Sequence, residues 1–203
     1  MQKYTDLYDV LIIGAGPAGS NAAISYKKLN PTLKVGLIDK AVFPRDKSCG
    51  DAIGPGVISA LKRFNNEHIL ENEPQVVSTT LYGPENIGIQ NYIPEVKNKE
   101  DSIVYVIPRI DLDNRILNLA KDLEVDVFEG YSFVSFEEDI DKKLVVEIKN
   151  DNHNLKFGTK ILIGADGANS RVRKQLSVKK NSDWHKACLL YTSPSPRDFL
   201  LCR

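Results

Sequence analysis

Short apolar runs alternate with a stretch of helical period at the start of the chain. Residues 9–13 predict a strand that is buried on both faces of a parallel sheet. A helix is predicted over 17–29, because proline is favoured in a first helical turn and an Asn-Pro pair follows the last periodic position. A second apolar strand is predicted over 34–38. Together they form a strand-helix-strand unit about thirty residues long.

Alternating polar and apolar positions continue in the middle of the chain. They predict strands over 76–82, 87–93 and 103–107, which would open a substrate-facing sheet after a helix near 55–64. The next helix is predicted to be capped by Asp111. Its apolar face comprises Leu112, Ile116, Leu119, Ala120 and Leu123.

The pattern returns to strands after that helix. Residues 126–128 predict another parallel strand. Segments 131–137, 143–149 and 155–160, with a polar turn over 150–154, predict a small antiparallel sheet.

These elements predict an α/β fold. It has a Rossmann-like domain with a parallel sheet, a small antiparallel sheet and the start of an inserted sheet. We assign residues 1–187 to this domain, which is incomplete, and about 74–107 to the inserted sheet. Residues 188–203 follow neither period and resemble a translated sequencing adapter, so we expect them to be foreign to the protein. The alternative is a natural loop rich in proline and serine.

Composition narrows the classes of function. Lys plus Arg and Asp plus Glu number 27 each, so the chain lacks the basic field that would attract nucleic acid. The polar N-terminus and the absence of a bilayer-length apolar run predict a cytoplasmic location. The three cysteines and three histidines lack metal-ligand spacing, so no metal site is expected.

The glycine turn of the first unit carries the clearest chemistry. Gly14 permits a sharp turn, Gly16 lets the main chain approach a diphosphate, and Gly19 lets the helix pack closely. Asp39, twenty residues past Gly19, is placed to accept hydrogen bonds from ribose hydroxyls, and its charge disfavours NADP. The turn alone does not separate FAD from NAD, and a turn that only packs a helix is the alternative. The candidate cofactor-binding residues here are Gly14, Gly16, Pro17, Ala18, Gly19, Asp39 and Lys40.

A second motif, FPRDKSCGD over 43–51, resembles a loop of the geranylgeranyl reductase family of flavoproteins. In that family the loop runs over FAD towards the isoalloxazine ring. Arg45 is suited to bind the diphosphate, and Gly50 permits close approach to a flat ring. Cys49 is expected to line the cofactor and is a weaker candidate for a catalytic group, the alternative being a small buried hydrophobe. Asp51 completes this set of candidates.

A third motif, ILIGADGANSRVR over 161–173, resembles the Asp-Gly fingerprint of para-hydroxybenzoate hydroxylase-like flavoproteins, to which the geranylgeranyl reductases belong. A buried strand would deliver Asp166 and Gly167 to FAD, where the resemblance also implies an influence on NAD(P)H docking. Ser170 is predicted to start a short helix that leaves its arginines available to phosphates or solvent. The resemblance further implies FAD contacts at Arg109 and near Val134, the latter with the adenine.

The resemblance spans nearly all of residues 7–176 and implies a reductase of isoprenoid double bonds in geranylgeranyl chains or prenylated quinones. FAD would receive electrons from NAD(P)H or ferredoxin. A lipid substrate is consistent with peripheral membrane association of the parent enzyme, and the sequence gives no indication of its oligomeric state. A monooxygenase or halogenase acting on an aromatic or lipid substrate, and a non-catalytic nucleotide-binding module, are the alternatives. A later Gly-Asp motif of the superfamily is absent before Ala187, so we expect this chain alone to bind FAD weakly and to be inactive.

Overall fold

The computed structural model describes residues 4–47, 49, 51–76, 78–82, 87–92 and 104–176. Gly50 and the 188–203 segment, for which predictions were made above, lie outside the described residues.

The described elements follow the predicted order closely. The first half of the chain contains β1 (Asp6–Ile13), α1 (Pro17–Leu29), β2 (Val35–Asp39), β3 (Ala52–Ile53), α2 (Pro55–Lys62), a short 3-10 helix (Glu67–Leu70), β4 (Ser78–Tyr82) and β5 (Gly88–Tyr92). The second half contains β6 (Tyr105–Val106), α3 (Arg109–Asp122), β7 (Asp126–Glu129), β8 (Ser132–Glu138), β9 (Leu144–Lys149), β10 (Asn154–Gly164) and α4 (Arg171–Gln175).

A six-stranded sheet in the order β7-β2-β1-β10-β9-β8 forms the centre of the domain. Strands β7, β2, β1 and β10 are parallel, and β9 and β8 continue the sheet in antiparallel pairing. The chain winds from β1 through β2 to β7 on one side, whereas β10 lies on the other side of β1. This change of direction is the topological switch point, and ligands of doubly wound sheets bind beside it at the carboxyl ends of the strands. The predicted α/β fold class is confirmed.

The antiparallel strands extend the parallel sheet, and the two strands predicted on either side of Lys160 are not separate. β10 is one strand of 11 residues that covers the predicted strand over 155–160 and the strand of the Asp-Gly motif. Its first half pairs with β9, and residues 157–164 pair with β1. No turn residue interrupts the chain between Lys160 and Ile161, so the two predicted strands are continuous.

The predicted N-terminal cap of α3 is wrong. α3 begins at Arg109 after Pro108, and Asp111 lies inside the first turn. The acceptor for the first helical N–H is instead the carboxylate of Asp51, 3.2 Å from the Arg109 nitrogen. Proline lacks an N–H and takes the conformation that precedes a helix, so the helix starts earlier than Asp111. The predicted apolar face is correct, with Leu112, Ile116 and Ala120 buried, and Leu119 and Leu123 packed against the core.

The sheet is buried on both faces, as the apolar run in β1 predicts. Val10 and Ile12 pack with helices α1 and α3 on one face. Leu11 and Ile13 pack on the opposite face with side chains of β8, β9 and α4. Alternate residues of a strand point to opposite faces, so β1 contributes to both hydrophobic clusters. Among the described residues, no helix combines the length and apolar composition needed to cross a membrane.

The strands between α2 and α3 divide into two small sheets. β4 and β5 form an antiparallel pair, whereas β6 pairs with β3 of the loop that follows β2. The predicted strands are therefore present within the described residues, whereas positions 77, 93 and 103 of the predicted ranges lie outside them. Their role in facing a substrate stays a prediction.

Two leucines allow the burial of the sheet to be tested. Leu37 in β2 is fully buried, whereas Leu29 at the end of α1 is 80% exposed. We expect Leu37→Ala to lower the free energy of unfolding by about 2–5 kcal/mol through lost burial and a residual cavity. Leu29→Ala removes the same atoms and should change it by less than about 0.5 kcal/mol. Urea unfolding measures both, and equal losses would contradict the assigned core.

Candidate functional site

Three main-chain segments meet at the carboxyl end of the sheet, namely the glycine turn between β1 and α1, the end of β2 and the end of β10. Gly14 has a φ of +104°, and a Cβ on it would lie 2.4 Å from the carbonyl oxygen of Ala165. A Cβ on Gly19 would lie 1.7 Å from the Gly14 oxygen. The Gly14 N–H donates to Ile38 at 2.7 Å, and the Ala165 N–H donates to Ile13 at 2.7 Å. β1, α1, β2 and β10 therefore meet with no room for a side chain, as predicted for Gly14 and Gly19.

Asp39 fixes the end of β2 to the glycine turn. One carboxylate oxygen accepts from the Ala15 N–H at 2.7 Å, and the other accepts from the Ala41 N–H at 2.9 Å. Each oxygen retains a lone pair that can accept a further hydrogen bond. Lys40, the next residue, is exposed. The predicted ribose contact therefore remains a prediction, and Asp39 also has a structural role that sequence reasoning missed.

Asp166 and Gly167 lie directly beside the glycine turn. A Cβ on Gly14 would lie 2.9 Å from the Asp166 Cα, and Gly167 has a φ of +80°. Oδ2 of Asp166 accepts from the main-chain N–H groups of Arg171 at 2.6 Å and Val172 at 3.4 Å. Oδ1 is buried and has no hydrogen-bond partner among the residues that the structure describes. Half of this carboxylate thus caps α4, and the other half has unused acceptor capacity.

Helix α4 starts at Ser170 as predicted. The Ser170 hydroxyl accepts from the Arg173 N–H at 3.0 Å. The arginines of this helix contact main-chain carbonyls, with Arg171 donating to Phe133 at 3.1 Å and Arg173 to Ala168 at 2.7 Å. They therefore tie α4 to β8 and to the turn that precedes the helix, in addition to meeting solvent.

Arg45 places a positive charge over the glycine turn. Its Nη2 lies 3.4 Å from the position that a Cβ on Gly16 would occupy. The guanidinium carbon is 4.8 Å from the centre of the Phe43 ring, and Nη1 is 3.4 Å from Oδ2 of Asp113. Nη1 is buried without a hydrogen-bond partner in the described part of the chain. Sequence analysis predicted this residue as a diphosphate ligand, and the structure brings it to Gly16.

Arg109 contacts both Asp113 and Cys49. Nε and Nη2 of Arg109 donate to the two carboxylate oxygens of Asp113 at 2.6 and 2.8 Å. This pairing raises the pKa of Arg109, with burial opposing it and a hydrogen bond with Cys49 adding to it. Cys49 is partly exposed. Asp51, which adopts a φ of 55°, uses its carboxylate to cap α3 rather than leaving it free.

Asp113 is a buried residue of the site that sequence analysis missed. Its side chain is fully buried, although carboxylates are rarely buried unless they are paired. The available signal was its position four residues after Arg109, on the same helical face, where an acid and a base form an i, i+4 pair.

Glu129 anchors the loop that carries Arg45. It ends β7 and accepts from the Phe43 N–H at 2.8 Å and from Lys121 Nζ at 2.6 Å. Burial favours the neutral acid, but the hydrogen bonds from Lys121 and Phe43 outweigh it, so the pKa of Glu129 falls below its ordinary value of 4.5. The charged form of Glu129 therefore stabilises the folded chain.

Val134 lies at an irregularity of β8. The pairing register of β8 with β9 shifts between Phe133 and Ser135. β8 begins next to the site, because the Tyr131 N–H donates to the Asp39 carbonyl oxygen at 3.0 Å. The predicted adenine contact near Val134 remains a prediction.

Residues 7–199 match the family described as FAD binding domain. The chain belongs to this FAD-binding family. It is 30% identical over 178 residues to menaquinone reductase of Mycolicibacterium smegmatis, covering 88% of this chain and 41% of the relative. It is 32% identical over 175 residues to geranylgeranyl diphosphate reductase of Rhodobacter capsulatus, covering 85% and 41%. The predicted resemblance to geranylgeranyl reductases is confirmed, and the chain spans about two fifths of the length of these curated relatives.

The fold is also shared more widely. The solved p-nitrophenol 4-monooxygenase of Pseudomonas putida matches with a TM-score of 0.75 and 16% identity, over 86% of this chain and 44% of that structure. This likeness concerns the fold alone. The family match therefore indicates FAD binding, and the shared fold leaves the reaction and the substrate open.

The described residues fit FAD. Its diphosphate requires hydrogen-bond donors and positive charge, and its ribose and ribityl hydroxyls require acceptors. The two buried unpartnered atoms of the described chain are Arg45 Nη1, a charged donor, and Asp166 Oδ1, an acceptor. Gly16, which is partly exposed, lies beneath Arg45, with Nη2 of Arg45 3.4 Å from the position of a Cβ on Gly16. Donor and acceptor thus occur together beside the N-terminus of α1, where anions are favoured.

Two glycines in first helical turns test the close approach. A Cβ at Gly19 would overlap the Gly14 oxygen, whereas a Cβ at Gly56 in α2 has no atom within 4 Å. We expect Gly19→Ala to lower the free energy of unfolding by about 3 kcal/mol through overpacking. Gly56→Ala should raise it by up to about 1 kcal/mol, because alanine favours a helix. Thermal or urea unfolding checks both, and a neutral Gly19→Ala would argue against the packing described.

The lowered pKa of Glu129 gives a pH-dependent expectation. Its stabilisation is present above the ordinary pKa of 4.5 and is lost as the pH falls through the lower folded value. Glu129→Gln should therefore be less stable than the unaltered chain at pH about 7, and the difference should shrink below about pH 4.5. Glu137→Gln, at an exposed position of β8, is the control. Urea unfolding across this range measures the difference, and a gap independent of pH would contradict the assigned role.

Proposed function

We propose that this chain is the FAD-binding part of a reductase that acts on isoprenoid double bonds, in geranylgeranyl chains or prenylated quinones. The observation that supports FAD binding most directly is the pair of unpartnered groups, Arg45 Nη1 and Asp166 Oδ1, beside the glycine turn. The reaction is supported by the names of the relatives, a menaquinone reductase and a geranylgeranyl diphosphate reductase.

The proposed binding roles follow from the chemistry of each group. Arg45 and the N–H groups of the first turn of α1 would hold the diphosphate through charge and hydrogen bonds. Asp39 would accept from the ribose hydroxyls, and Asp166 would accept through Oδ1 from a hydroxyl of the cofactor. The carboxylate of Asp39 would also repel a 2′-phosphate, so the site would favour FAD over NADP.

FAD, when bound, supplies the two-electron chemistry of such a reaction. The protein contributes position and electrostatics. Cys49, Gly50 and the rest of the loop would line the cofactor beyond Arg45, and Arg109 supports that loop through its hydrogen bond with Cys49. NAD(P)H or ferredoxin would supply the electrons. A lipid substrate would bring the parent enzyme to a membrane surface from the cytoplasm.

The products of the complete enzyme test this proposal. The full-length gene product, loaded with FAD, is incubated with geranylgeranyl diphosphate or menaquinone and with NADPH, reduced ferredoxin or dithionite. We expect the product, once any quinol has been reoxidised to the quinone, to gain two hydrogens for each isoprenoid double bond reduced, as measured by mass spectrometry. Gain of oxygen or halogen would replace the reductase with the monooxygenase or halogenase alternative. Stoichiometric FAD that NAD(P)H and ferredoxin do not reduce, with no product even after reduction by dithionite, would favour a non-catalytic nucleotide-binding module.

A further inference from the structure

The buried carboxylate of Asp113 stands out because it lies inside the hydrophobic face of α3. Its neighbours on that face, Leu112, Ile116 and Leu117, belong to the core. A lone buried charge is strongly destabilising, so Asp113 requires a charged partner. Arg109 meets this requirement with two parallel hydrogen bonds, the strongest arrangement between these groups.

Arg45 is the second cation at the same carboxylate. Its Nη1 lies 3.4 Å from Oδ2, the oxygen that also accepts from Nη2 of Arg109. Two guanidinium groups thus share one carboxylate, and one positive charge is left uncompensated. Arg109 donates two hydrogen bonds to Asp113, whereas Nη1 of Arg45 is buried without a hydrogen-bond partner in the described chain. The surplus charge therefore resides mainly on Arg45, above Gly16.

Without the carboxylate, the same two cations would repel each other. The repulsion would be strong because both guanidinium groups contact the same carboxylate and neither side chain is more than 20% exposed, so little water lies between the charges. The flexible Arg45, held in a loop, would move away from the glycine turn, because Arg109 is fixed on a helix.

We propose that Asp113 is a positioning residue, which holds Arg45 over the glycine turn so that its guanidinium meets the diphosphate of a bound dinucleotide. The inference rests on the proposed FAD binding and adds the residue that orients Arg45, the proposed ligand of the diphosphate. It is distinct from a packing role, because its effect on binding passes through Arg45.

A double-mutant cycle in the full-length gene product tests this inference. The four proteins are the unaltered chain, Arg45→Met, Asp113→Asn and the double variant, titrated with FAD, ADP and adenosine by calorimetry. We expect Asp113→Asn to weaken FAD and ADP binding by about tenfold, within the range of coupling between residues in contact. Adenosine, which lacks the diphosphate, should bind unchanged. In the Arg45→Met background, Asp113→Asn should have no further effect.

Asp111→Asn provides the matched control. Asp111 is exposed on the same helix, and the change removes the same charge without touching either arginine. Circular dichroism verifies folding, and Asp113→Ser, which also removes the charge and leaves a smaller polar side chain, replaces Asp113→Asn in the cycle if that variant does not fold.

The outcomes separate the two proposals. Equal weakening of all three ligands, additive effects in the cycle, or tighter FAD binding by Asp113→Asn would overturn the positioning role. If ADP binds and Asp113→Asn has no further effect in the Arg45→Met background, but FAD does not bind, the result would support the positioning role of Asp113 and contradict FAD as the cofactor. An unaltered chain that binds neither ADP nor FAD would overturn both.

Discussion

At Gly14 and Gly19 the main chains of β1, α1 and β10 approach so closely that a single added carbon would overlap an oxygen. This contact brings the carboxyl end of β10 against the turn that follows β1. It therefore places Asp166 beside the N-terminus of α1, although the two are far apart in sequence. A larger residue at either glycine would separate the helix from the sheet and Asp166 from the turn.

The charges of the site depend on this close contact and on the loop above it. Glu129 accepts a hydrogen bond from the Phe43 N–H, and Asp113 forms an ion pair with Arg45 at 3.4 Å. The loop is thus fixed at one end by β7 and in its middle by α3. Arg45 approaches Gly16 because both attachments act on the same short segment. A cation on an unattached loop would lose more conformational entropy on binding an anion.

Local sequence signals were sufficient for most of the fold and for part of the site. The period of β1, α1 and β2 predicts their limits to within a few residues, because each is bounded by glycine, proline or an acid. The capping of α3 by Asp51 and the role of Asp113 depend on residues distant in sequence. Asp51 reaches Arg109 across 58 positions, and Arg45 reaches Asp113 through the fold. The hydrophobic periodicity of the sequence carries no information about such contacts.

The shared fold explains why the cofactor is identified more firmly than the reaction. In the proposed binding mode, the glycine turn, Arg45 and Asp166 would contact the diphosphate and sugar portions of FAD, which are the same in a reductase and a monooxygenase. The isoalloxazine ring and the substrate determine whether the electrons pass to an alkene or to oxygen. In the same binding mode, the residues nearest the ring would be those that follow Arg45 in the loop, among them Cys49. The hydrogen bond between Cys49 and Arg109 links this loop to Asp113, so one buried carboxylate would support both the proposed diphosphate ligand and the loop proposed to line the ring.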